Sequence, residues 1–309
     1  MNVCSLCPRK CRTRPGFCGA GDTPRVFRWG PHLGEEPPIC GPEGSGAVFF
    51  SRCTMKCLYC QNSPWSWKGE GEDVTVDKLS AILRELAVED GCCNWNLVSP
   101  TPYLPFIRAA AKPLIGEGIR LPFVWNSSGY ESAETLDEYK DLCDIALFDM
   151  RYAEDATAIA ASAAPGYVAA SRAAVKWAWD NLGPLDDASP GRATRGLIVR
   201  LLVLPGHADE AIANLAWLAA ECSPSVHISV MSQYTPVYKA LHHPPFDRPA
   251  TEEEYNLVAE AAADFGFENG WLQGFDSCNA DLDLLGESMP PGHGSVGDSS
   301  KRCTRVNST

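Results

Sequence analysis

The sequence predicts an α/β fold of six βα units, and three observations carry that expectation. Short apolar runs of strand length alternate with amphipathic segments of helix length. The runs are nearly continuous in apolar residues, as in parallel strands covered on both faces. At 309 residues with a hydrophobic share of 45%, the chain is long enough for one buried core.

Residues 1–45 are rich in Cys, Pro, Gly and Arg without sustained periodicity, so an irregular extension is expected there, held by something other than a core. The main domain is expected over 46–276. Its strands are predicted at 47–51, 96–99, 122–126, 144–150, 197–204 and 226–231. In the first helix Leu79, Ile82, Leu83 and Leu86 share one face, and Gly91 lies just past its end. Further helices are predicted at 105–111, 133–140, 167–181, 209–220 and 252–265. A C-terminal tail is expected over 277–309; from about 287 it is polar and Gly/Ser-rich, and disorder is expected. Periodicity does not choose between a doubly wound sheet and an incomplete barrel, and both place active sites at the carboxyl ends of the strands.

The formal charge of −13 argues against general nucleic-acid binding, and no run of 18 or more apolar residues offers a membrane span. The N-terminal MNVCSLCPRKC lacks the apolar stretch of a secretory signal, which points to the cytoplasm. In that reducing compartment, 14 cysteines read as metal ligands rather than disulfides.

The strongest signal is the C-x3-C-x2-C triplet Cys53, Cys57 and Cys60, directly after the first predicted strand. Composition alone would produce this spacing with a probability of about 0.03. Its position on the loop after a first parallel strand is what chance does not supply. Three thiolates hold three irons of a [4Fe–4S] cubane and leave the fourth open to an exchangeable ligand, whereas an electron-transfer cluster takes four cysteines.

With Tyr59 before the last cysteine and Gln61-Asn62 after it, the stretch from about Gly46 to Asp276 resembles the radical S-adenosylmethionine (SAM) superfamily, and within it the branch related to the pyruvate formate-lyase activating enzyme. The resemblance implies a partial (β/α)6 TIM-like barrel, SAM chelating the open iron, and reductive cleavage to a 5′-deoxyadenosyl radical that takes hydrogen from a substrate. It implies a reduced flavodoxin or ferredoxin-type donor, and a protein, peptide or small molecule as substrate. Carried over by position, Tyr59 neighbours adenine, and Ser99-Pro100-Thr101-Pro102 stands where many relatives have Gly-Gly-Glu for the SAM amino group. There backbone carbonyls and the Thr101 hydroxyl would accept from the ammonium. Asn126, Asp149, Arg151 and Arg200 resemble contacts to SAM ribose or carboxylate, a task that suits the planar fork of arginine. Each of these also fits a cap, a turn or an ion pair. Ser232-Gln233-Tyr234 would touch adenine or substrate.

Cys4, Cys7, Cys11 and Cys18, followed by Cys40, have ligand-like density in a segment that needs a staple; zinc and an auxiliary iron–sulfur cluster both fit. Similar leaders, here Leu6-Cys7-Pro8-Arg9 and Gly16-Phe17-Cys18-Gly19, occur in relatives of this branch. Cys92, Cys93, Cys143 and Cys222 read as small hydrophobes, Cys278 and Cys303 carry no assignment, and His242-His243 read as a solvated loop. A non-catalytic iron–sulfur or zinc protein, carrying electrons or organising a partner, is the alternative function.

Overall fold

The computed structural model describes residues 4–186, 191–275, 292–293 and 303–305. Its strands are β1 (Arg25–His32), β2 (Ser45–Phe50), β3 (Glu72–Asp73), β4 (Trp95–Val98), β5 (Phe123–Ser127), β6 (Ile145–Asp149), β7 (Gly196–Leu202), β8 (His227–Met231), β9 (Gly270–Gln273), β10 (Gly292–His293) and β11 (Cys303–Arg305). They form one sheet, ordered β10-β1-β2-β4-β5-β6-β7-β8-β9-β11, with β3 also on β1. From β2 through β9 every pairing is parallel. The sheet is not closed, since β2 and β9 end in different neighbours, so an incomplete barrel is the architecture.

All six expected strands are present as β2 and β4 to β8, each within a few residues of its predicted bounds. Two of the additions matter for the site. Arg25–His32, expected to be irregular, is a strand antiparallel to β2, with a register shift between Val26 and Arg28. Its Arg, Gly and Pro content masks the strand in the sequence, yet Val26 and Phe27 are buried. β9 adds a seventh parallel strand of only four residues.

The helices are α1 (Ser63–Ser66), α2 (Val76–Arg84), α3 (Leu104–Gly116), α4 (Ala133–Glu138), α5 (Asp155–Ser162), α6 (Tyr167–Leu182), α7 (Ala208–Glu221) and α8 (Glu252–Asp264). Thr75 caps α2 by accepting from the Lys78 N–H, and the helix buries Leu79, Ile82 and Leu83; a wider turn over Glu85–Glu89 then buries Leu86. α3 runs past the predicted end at 111 because Pro113 is tolerated inside it. The alanine-rich α5 is an addition to the predicted set. α8 opens with a capping box between Thr251 and Glu254.

Alternation along the strands decides what faces what. Trp95, Leu97, Phe123, Trp125, Phe148, Val199 and Val230 join the large core with α2, α3, α6, α7 and α8. On the opposite, concave face Val124, Ile145, Leu147, Ile198 and Trp271 pack with Ile39. Farther along the same face stand Asn126, Asp149 and Arg200. The interior is thus apolar near the strand starts and polar near their carboxyl ends.

The predicted disorder from about 287 lies mostly outside the described residues. At Gly292–His293 and Cys303–Arg305 the tail instead pairs with β1 and β9. No described helix is long and apolar enough to cross a membrane.

Candidate functional site

The loop after β2 is fixed by backbone hydrogen bonds from both sides. Arg52 turns the chain with a left-handed φ of 75°, and its N–H donates to Trp65 O at 2.9 Å. Lys56 and Leu58 donate backbone N–H groups to Ser162 O at 3.0 Å and Ala161 O at 2.8 Å, at the end of α5. The Trp67 indole N–H donates to Cys57 O at 3.1 Å. This loop carries all three cysteines of the triplet.

Each of the three sulfurs meets a hydrogen-bonding partner. The Met55 N–H donates to Cys53 Sγ at 3.5 Å, Arg151 Nη1 to Cys57 Sγ at 3.2 Å, and Ser66 Oγ lies 3.1 Å from Cys60 Sγ. Burial pushes the Cys60 thiol up to about 12 and raises that of Cys53 as well; the charges of neighbouring cysteines add to both. Among the described residues, no group of three or more His, Cys, Asp or Glu side chains is gathered as a bound ion would hold them. The donor set nonetheless suits a thiolate-bound cation: its positive charge reverses the cost of ionising a buried thiol, and N–H or O–H donors stabilise the sulfurs.

Beside Cys60 a cleft of about 190 Å³ opens, lined by Tyr59, Asp149, Arg151, Arg200 and Gln233 among others. Asp149 is its anchor. The carboxylate accepts from Arg200 Nε at 2.8 Å through Oδ1 and from Arg151 Nε at 3.0 Å through Oδ2. Burial would raise this carboxyl, but the two guanidiniums outweigh it and hold it below the usual carboxylate range. Arg200 Nη2 donates in turn to Asn126 Oδ1 at 2.6 Å. Tyr59 is buried, with its hydroxyl bonded to Tyr152 and its ring edge-on to Tyr234, centroids 5.3 Å apart.

The loop between β1 and β2 reaches into this polar interior. Glu35 Oε1 accepts from Asn96 Nδ2 at 2.9 Å and Asn126 Nδ2 at 3.2 Å, while its Oε2 is 3.8 Å from Arg200 Nη1. Burial pushes neighbouring Glu36 up to about 7 against the pull of Arg200. Sequence reasoning missed both carboxylates and Asn96. The signal available was an adjacent acid pair in a Pro- and Gly-rich stretch, which has no period to place it.

The structure therefore brings Tyr59, Asp149, Arg151 and Arg200 together at the cleft with Cys60, joined by Gln233 and Tyr234. Asn126 stands behind the cleft, holding Arg200. Ser99 and Thr101 do not line it: Ser99 donates its N–H to Asn126 O, and the Thr101 hydroxyl, 2% exposed, donates to Glu131 Oε1 at 2.7 Å. The expected acceptor for an ammonium is thus turned to a buried carboxyl. Ser232 donates to Gly274 O.

The other sulfurs and imidazoles divide as follows. Cys92 and Cys143 are core residues, Cys222 packs against that core, and Cys93 is half-buried, its thiol donating to Ile39 O at 3.3 Å. His242 and His243 are exposed. Cys278 lies outside the described residues. Cys4, Cys7, Cys11 and Cys18 sit in a lobe against the cysteine loop, where Arg9 Nε donates to Thr54 O at 2.7 Å.

No protein-family model matches the chain. It is 26% identical over 278 residues to the uncharacterised protein MJ0674 of Methanocaldococcus jannaschii, covering 86% of this chain and 75% of that one. Two solved structures also align. Native anSMEcpe with bound AdoMet gives a TM-score of 0.49 at 10% identity, covering 75% of this chain, and the hexahistidine-tagged form gives 0.47 at 8%, covering 74%. The aligned region spans 60% and 56% of those chains, less than two thirds of their length.

Proposed function

We propose that this chain is a radical SAM enzyme, binding a [4Fe–4S] cluster through Cys53, Cys57 and Cys60 and SAM in the adjoining cleft. The observation that carries the reading is the placement of a three-cysteine loop at the carboxyl end of the first parallel strand, opening on a cleft that presents two guanidiniums. When bound, such a cluster would supply one electron to the SAM sulfonium, giving methionine and a 5′-deoxyadenosyl radical.

The chain's own residues set the geometry. Arg151 and Arg200 offer a charged fork to the SAM carboxylate. Asp149 keeps the two guanidiniums side by side, and Asn126 and Glu35 hold Arg200 from behind. Tyr59, packed against Tyr234 and Phe246, gives adenine an aromatic wall. The substrate that loses hydrogen is a protein, a peptide or a small molecule, with a glycyl-radical activase as the nearest analogy.

A reduced flavodoxin or ferredoxin-type protein is the proposed donor. In support, Lys239 Nζ lies 4.2 Å and Lys56 Nζ 5.2 Å from the Trp67 ring centroid, on the indole that bonds Cys57 O. Two ammoniums beside the cysteine loop favour an acidic partner. The reducing cytoplasm is the proposed compartment, since thiolate ligands to a metal need reduced cysteines.

The test is anaerobic reconstitution with iron and sulfide, followed by dithionite and SAM, with 5′-deoxyadenosine and methionine measured by chromatography. Both products are expected, and Cys57→Ala is expected to abolish cluster assembly and products together. Intact SAM, with a reduced-cluster spectrum that SAM does not alter, overturns the reading in favour of a non-catalytic iron–sulfur protein.

A further inference from the structure

The N-terminal lobe folds without a core of its own. Across residues 4–24 only Cys7, Ala20 and Pro24 are buried, yet the backbone is turned back on itself repeatedly. Lys10 N–H donates to Cys7 O at 3.0 Å, Arg12 N–H to Cys4 O at 3.1 Å and Gly19 N–H to Gly16 O at 3.0 Å. Lys10 and Arg12 both take left-handed φ values, 43° and 56°, which residues with a Cβ adopt at a cost. Too little apolar surface is buried here to offset the ordering of the chain, so another source of binding free energy is required.

The sulfurs are placed to supply it. Ala20 N–H points at Cys18 Sγ from 3.4 Å and Phe17 N–H at Cys11 Sγ from 3.5 Å. The first of these runs from residue i+2 to the cysteine, the same relation that Met55 has to Cys53. Gly16 is pressed against Cys11, since a Cβ there would lie 2.9 Å from its Sγ; any larger residue would displace the thiol. Cys18 lies within electrostatic range of Cys4 and Cys11, and Cys7 within range of Cys18 and Cys11. They are not gathered on one point, and a bound ion would draw them in.

The charge around them is complementary. Arg9, Lys10, Arg12 and Arg14 fall between the cysteines, and Asp22 is the only acid in residues 4–24 of a chain with a net charge of −13. Four thiolates around Zn²⁺, or around an oxidised [4Fe–4S] core, leave a net negative centre that these cations would offset.

We propose that Cys4, Cys7, Cys11 and Cys18 form a second metal centre, a tetrathiolate zinc or iron–sulfur site, which holds this lobe against the loop of Cys53, Cys57 and Cys60. The docking contacts are specific. Arg9 donates to Thr54 O inside the core cysteine loop and to Ala163 O beyond α5, and its guanidinium stacks on Phe17, 3.4 Å from the ring centroid. Arg14 Nη2 reaches Pro102 O at 2.9 Å. Lys56, within the core triplet, lies within electrostatic range of Cys18 as well as of Cys53 and Cys60. The proposal does not depend on SAM cleavage at the core site.

The experiment is metal and sulfide analysis of the full chain carrying Cys53→Ser, Cys57→Ser and Cys60→Ser, purified anaerobically. Stoichiometric zinc is expected, or iron with matching sulfide and visible absorbance, and adding Cys7→Ser should remove it. The two metals are told apart by the same analysis. A folded triple variant without stoichiometric metal, or metal that Cys7→Ser leaves in place, overturns the proposal. If the variant does not fold, the unaltered holoprotein is alkylated with iodoacetamide and mapped by mass spectrometry. Protection of Cys4 and Cys11 that a chelator abolishes supports the site, and immediate modification of both overturns it. Loss of SAM cleavage at the core, by contrast, leaves each of these readouts unchanged.

Discussion

Arg151 donates to the Cys57 thiol across 3.2 Å while its Nε holds Asp149 at 3.0 Å, so one side chain ties the cysteine loop after β2 to the end of β6. These two parts of the chain are far apart in sequence. The guanidinium joins the carboxylate network at the cleft directly to the sulfur.

The consequence is testable by substitution. Arg151→Met should keep iron near normal, since the three thiols remain, but lower SAM cleavage by about 10- to 100-fold, the worth of a hydrogen bond to a charged group. Arg151→Lys should recover part of that loss, because an ammonium restores charge without the two-pronged geometry. The measurement is 5′-deoxyadenosine formed per iron. Equal activity in all three proteins would show that Arg151 serves the fold alone.

Asp149 offers a second handle. It is buried between Arg200 and Arg151, with side-chain exposures of 6%, 17% and 21% respectively. Asp149→Asn preserves the shape and leaves two guanidiniums without their shared carboxylate. Breaking one partner of a buried pair costs about 3–5 kcal/mol; Glu35, 3.8 Å from Arg200, should bring the loss toward the lower end. Urea unfolding of the metal-free chain reads it directly. An unchanged midpoint would mean that the carboxylate contributes nothing to holding the interior.

How much of this is legible in the sequence depends on what kind of signal each part leaves. The six parallel strands are apolar runs because both faces are covered, and that pattern locates all six. β1 is hidden because Arg28, Gly30 and Pro31 break its apolar run and read as loop. Asp149 and Arg151 are marked by their positions at a strand end and Arg200 by a charge inside an apolar strand, and the three converge at the cleft. Thr101 fails the same logic: it stands at the right place, but Glu131, thirty residues on, takes its hydroxyl. Glu35 and Glu36 are not legible at all, since only the three-dimensional path of the β1–β2 loop carries them to Arg200.

Glu131 makes the last prediction, and its sign is fixed by burial. It is 1% exposed, and loss of solvent pushes its carboxyl up to about 7 despite the hydrogen bond from Thr101. An unfolded glutamate titrates near ~4.3. Between that pH and about 7 the folded chain keeps a proton that the unfolded chain has lost. Stability from this group is therefore fully present below the lower value, falls as pH rises through the window, and levels off above it. The total is on the order of 4 kcal/mol. Glu131→Gln cannot ionise and keeps an oxygen for Thr101, so its stability should fall less between pH 5 and pH 8 than that of the unaltered chain. Urea midpoints of both proteins at the two pH values measure the difference, and other titrating groups such as Glu36 cancel in it. Parallel profiles would show that Glu131 ionises in the fold as it does in water, which would require solvent to reach a side chain that is 1% exposed.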